Sequence, residues 1–85
     1  MDYVVVAFRS RAQTVKFSEH LTHLGVQNEI INTPKEAGVG CGLSVKISKT
    51  RLQVVKRIVQ LSSLSAFAGF FLVTAYGGKH IVRSI

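Results

Sequence analysis

The chain has 85 residues, a formal net charge of +7 and one cysteine. That length holds a single domain, residues 1–85, and a hydrophobic content of 47% excludes a disordered chain. One cysteine excludes both an internal disulfide framework and a zinc site built from four cysteines.

The predicted elements run as follows. Tyr3–Phe8 is an unbroken β-branched and aromatic run, which predicts a strand buried on both faces and therefore central. Ser10 is a good N-cap for the helix after it. In that helix Thr14, Phe17, Leu21 and Leu24 recur at helical spacing, with Val15 beside them, and Gly25 ends it. A second strand spans Val26–Asn32. Thr33, Pro34 and Glu36 then have the spacing of a capping box and predict one helical turn. The segment from Gly38 to Gly42 reads as a flexible loop. Leu43, Val45 and Ile47 alternate with Ser44, Lys46 and Ser48, a third strand with one wetter face. Ser48 or Thr50 caps a second helix with the stripe Leu52, Val55, Ile58 and Val59, flanked by Val54 and Leu61. Phe67–Tyr76 is a fourth strand. Gly77 and Gly78 make a hairpin turn into a short fifth strand, Lys79–Ser84.

The order β-α-β-β-α-β defines an α+β domain of the ferredoxin-like, split βαβ type. Its expected sheet order is 4-1-3-2, with the fifth strand outside the fourth and both helices on one face. This topology places Cys41 near Phe8–Arg11. It sends Lys46, Lys49, Arg51 and the Gly77-Gly78 turn to the opposite end. The Phe67–Val73 run is apolar on both faces, and its outer face would suit a second copy in a homodimer.

Residues 1–36 hold four basic and four acidic side chains; residues 37–85 hold seven basic side chains and no acid. A basic surface of Lys46, Lys49, Arg51, Lys56 and Arg57 is therefore expected. It would serve a binding module that contacts an acidic protein or nucleic acid. Nucleic acid is disfavoured, because the third strand lacks the aromatic residues of an RNA-recognition platform. No apolar stretch reaches the roughly 18 residues of a membrane span. Nor does the start of the chain have the basic region of a signal peptide. The expectation is a cytoplasmic protein without membrane contact.

Chemistry concentrates on Cys41. Glycines flank it, and the expected start of the first helix supplies partial positive charge. Arg9, Arg11 and Lys35 would add full charges that favour the nucleophilic thiolate. A buried, inert cysteine is the alternative. The glycines lack the strand-loop-helix context of a phosphate loop. His20 and His23 with Cys41 lack a fourth ligand, so no metal is expected. Asp2 is the only aspartate, no Ser/His/Asp set exists, and four acids in all argue against a hydrolase.

Phe8-Arg9-Ser10-Arg11, Gly25-Val26 and above all Ile31-Asn32-Thr33-Pro34-Lys35-Glu36 with Gly40-Cys41-Gly42-Leu43-Ser44-Val45 resemble the selenium/sulfur carrier-like family of small bacterial proteins. The resemblance covers about residues 3–75 and leaves out the tail from Gly77. It implies a carrier that holds sulfur or selenium on Cys41 as a persulfide or selenosulfide. Donor and acceptor proteins would be its partners. Gly40 and Gly42 would give access to the sulfur. Thr33, Pro34 and Glu36 would fix the loop, with Arg9, Ser10, Arg11 and Lys35 in support. Such a carrier needs no cofactor and is not an enzyme in the full sense.

Overall fold

The computed structural model describes residues 1–85. Strand β1 (Asp2–Phe8) is its centre, and Val4, Val5, Val6, Ala7 and Phe8 are all 0% exposed. Such burial on both faces is what an uninterrupted apolar strand requires. Around it lie α1 (Arg11–His23), β2 (Glu29–Asn32), β3 (Leu43–Ile47), α2 (Leu52–Leu61), β4 (Phe67–Tyr76) and β5 (Lys79–Ser84). Short 3-10 turns occupy Lys35–Ala37 and Lys49–Arg51. The result is an α+β domain in which two helices pack on one five-stranded antiparallel sheet of order β2-β3-β1-β4-β5. β1 thus runs between β3 and β4. Val6 faces Val45 on one side and Phe70 on the other. No helix is long and apolar enough to cross a membrane.

Alternation along β1 divides the core in two. Val4, Val6 and Phe8 point to the helices and meet Phe17 and Leu21 of α1, Val55 of α2, and Val45, Ile47 and Phe70. Val5 and Ala7 point the other way and meet Phe71 and Val73. Ile31, Ala37, Val39 and Val82 cover this second cluster. The outer face of β4 is therefore partly covered by the chain's own β2–β3 loop and β5.

Helix α1 begins at Ser10, whose Oγ accepts from Gln13 N at 3.2 Å. It ends in a Schellman turn: Gly25 N donates to Thr22 O (3.1 Å) and Val26 N to Leu21 O (2.9 Å). Gly25 takes the left-handed conformation (φ 78°) that this turn demands. Val26 packs with Leu21 in the core, the apolar contact that accompanies the motif.

Four expectations are corrected. Val26 belongs to the helix stop, so β2 starts only at Glu29. Leu24 is the C-cap and is 54% exposed, outside the stripe. The capping box at Thr33 does not form. Pro34 precedes the Lys35–Ala37 turn without a side-chain cap, and Thr33 Oγ1 instead meets Ser44 Oγ at 2.6 Å across the β2–β3 pair. β3 has no wetter face at Ser44, which is 0% exposed because the Thr33 loop lies over it. Ser48 does act as a cap, but for the Lys49–Arg51 turn that leads into α2.

Candidate functional site at the end of the sheet

Three segments meet where β1 ends: the start of α1, the start of β3 and the Thr33–Gly42 loop. The loop is closed by Thr33 N donating to Gly42 O at 2.9 Å, and is fixed to β1 by Cys41 N donating to Phe8 O at 3.0 Å. Gly40 lets this contact form. It has φ 98°, and a Cβ there would stand 3.0 Å from Phe8 O, a backbone atom that cannot yield. Gly42 also has positive φ, 97°. The glycines thus set the loop's path over the strand end.

Cys41 lies near Phe8–Arg11, and its side chain turns towards the helix layer. Its Sγ is 3.8 Å from Thr14 Oγ1, and the thiol donates to Leu43 O at 3.6 Å. The thiol is half-buried rather than open on a loop tip. Thr14 is 0% exposed, and its hydroxyl also lies 3.0 Å from Ser10 O and 3.3 Å from Leu43 O. Sequence reading placed Thr14 in the apolar stripe and missed it as a neighbour of the sulfur. The available signal was that a hydroxyl on a buried helix face must find partners.

Of the expected supporting residues, Ser10 caps the helix against which the sulfur rests, and Gly40 and Gly42 flank it. Arg9, Arg11 and Lys35 are exposed. Arg9 Nη1 donates to Phe67 O at 3.4 Å, and none of the three bonds to Cys41. Within the loop, Pro34 leads into the Lys35–Ala37 turn that holds Glu36. His20 and His23 are in the last turn of α1, whereas Cys41 touches its first; no cluster of three or more His, Cys, Asp or Glu side chains converges.

The five basic side chains do not all share one surface, although Lys46 and Arg51 line the same depression at the far end of β1. Lys46 lies opposite Val5, hence on the face away from the helices, with Nζ 4.5 Å from the Tyr3 ring centroid. Lys56 on α2 lies over Phe70 on the helix face, at 5.9 Å, and Arg57 is exposed beside it. Lys49 is bound to Asp2 at 3.2 Å, and Arg51 is exposed close by. Asp2 and Phe8 are opposite ends of β1, so this group is remote from Cys41.

Fold and site together define a small α+β domain with one half-buried thiol at the sheet end, under the first turn of a helix. Residues 2–66 match the family model described as "Putative Se/S carrier protein-like". The chain belongs to that family. The match includes Cys41 and its loop and stops before β4, short of the expected limit near residue 75. No curated protein and no solved structure matches the chain.

Proposed function

We propose that the protein carries sulfur or selenium on Cys41. The observation that carries this reading is the setting of the one thiol: a glycine-flanked loop tied to Phe8 O holds Sγ beside the Thr14 hydroxyl. Family membership supports the same reading.

In loading, the Cys41 thiolate attacks the outer sulfur of a persulfide on a donor such as a cysteine desulfurase. The donor's S–S bond breaks, its own thiolate leaves, and a new S–S bond forms on Cys41. No external oxidant is consumed. Unloading repeats the exchange towards an acceptor. Selenium from a selenocysteine lyase-like donor follows the same course as a selenosulfide. The carrier's own residues supply no acid or base. They position the sulfur against the first turn of α1. Donor and acceptor proteins are the partners, in the cytoplasm.

Read from its β5 edge, the sheet runs 5-4-1-3-2. We assign it to the ferredoxin-like arrangement with one added edge strand.

Incubation with a desulfurase and cysteine, followed by intact mass without reductant, tests the proposal. The expected result is one added sulfur atom on the wild type and none on Cys41→Ser. A folded wild type that takes up no sulfur, with a thiol that alkylates only after denaturation, overturns it.

A further inference from the structure

On the outer side of the Cys41 loop is an open depression of about 760 Å³, lined by Arg9, Lys35, Gly38, Val39, Gly40 and Gly42 together with Thr33 and Pro34. Its charged lining is entirely positive. The one ion pair in the structure joins Lys49 and Asp2, so neither Arg9 nor Lys35 has a carboxylate partner. The amides of Val39, Gly40 and Gly42 donate to no protein acceptor, whereas their neighbours Gly38 and Cys41 do. Two cations without a carboxylate partner, Arg9 also donating to Phe67 O, and lining residues whose three backbone N–H groups have no protein acceptor suit a carboxylate-bearing ligand. The depression is open to solvent. A small ion there would remain hydrated, whereas a chain segment with several acidic side chains would span from Arg9 to Lys35 and exclude water.

We infer that this depression docks an acidic segment of a partner protein. Resting on the carrier reading, that partner is a sulfur donor or acceptor. Cys41 does not line the depression, and its Sγ lies against Thr14 and Leu43 O. Docking and sulfur transfer therefore use different parts of the same loop. A partner seated on Gly40 and Gly42 presses on the residues either side of Cys41 without covering the sulfur. The strand-end location explains why these two cations count more than the larger number elsewhere. Of the others, Lys46 and Lys56 lie on opposite faces of the sheet, Lys49 is at the far end of β1 and paired with Asp2, and Arg11 at the start of α1 does not line the depression.

Fluorescein-labelled hexaglutamate, titrated at low salt and followed by anisotropy, is the test. Arg9→Glu with Lys35→Glu should weaken binding by about ten-fold or more. Arg51→Glu with Lys79→Glu makes the same change in net charge at the opposite end of the sheet, and should weaken binding far less. Equal losses in the two double variants would reduce the effect to overall charge and overturn the proposal, as would no binding to the wild type. Cys41→Ser should bind like the wild type. Sulfur loading, read by mass, is a separate measurement: a carrier that loads but shows no localised binding loses only the docking site. Localised binding without loading leaves the docking site standing and removes the carrier reading.

Discussion

At the scale of single residues, the thiol and its hydroxyl neighbour set the chemistry. Thr14 Oγ1 stands 3.8 Å from Cys41 Sγ and has one proton to share among Ser10 O, Leu43 O and the sulfur. Rotated towards the sulfur, the hydroxyl donates to it and holds Sγ in one orientation for attack on a reagent. Thr14→Val keeps the shape and removes the donor. It should slow iodoacetamide alkylation of Cys41 several-fold at neutral pH, and Thr14→Ser should restore the rate. An unchanged rate in the valine variant would show that the hydroxyl plays no part. Destabilisation of about 1 kcal/mol accompanies the lost hydrogen bond. The sequence showed Cys41 as chemically singular, because glycines on both sides free the backbone. It did not show which way the sulfur turns. That depends on a hydrogen bond to Phe8, distant along the chain.

At the scale of elements, local signals were legible where one segment decides its own structure. Ser10 and Gly25 bound α1 as capping chemistry requires, and β4 and β5 are joined by Gly77 and Gly78, both with positive φ. The signals failed where a side chain had a better partner on another segment. Thr33 turns to Ser44 across the sheet, so the helix cap its spacing suggested never forms. Asp2 is a similar case, since nothing in the sequence joins it to Lys49. Their ion pair ties the start of β1 to the turn before α2. The Lys49 ammonium, through its hydrogen bond, holds the Asp2 carboxyl below its usual range; slight desolvation opposes this, and the N-terminal charge adds to it. A carboxyl lowered in the folded state contributes stability above its unfolded value, near 4, and loses it as pH falls through the folded value. Wild type should therefore exceed Asp2→Asn in stability at pH 5–7, by a small margin for an exposed pair. The two should converge in strong acid. In Lys49→Met, the Asp2 carboxyl should titrate at higher pH by NMR. Parallel stability curves for wild type and Asp2→Asn across this range would refute the linkage.

At the scale of the whole molecule, the Thr33–Gly42 loop joins the two faces of the sheet. Ala37 and Val39 pack on the face away from the helices, over Val5, Ala7, Phe71 and Val73. Two residues further on, Cys41 is on the helix side against Thr14. The turn from one face to the other is made at Gly40, pressed on Phe8 O. Apolar cover on one face therefore holds the thiol in place on the other. Removing that cover without adding charge isolates the link. Val39→Ser takes away part of the apolar contact and leaves the α1 side untouched. If the loop is one mechanical unit, its local opening becomes more frequent, and the half-buried sulfur meets reagent more often. The alkylation rate of native Cys41 should then rise several-fold. The melting temperature should drop by only a few degrees, because β1 and the helix-side cluster keep their contacts. A rate equal to wild type, with the same small drop in melting temperature, would mean that the two halves of the loop move independently. In that case a partner pressing on the outer side of the loop could not change the exposure of Cys41, and docking would serve only to bring the partner near.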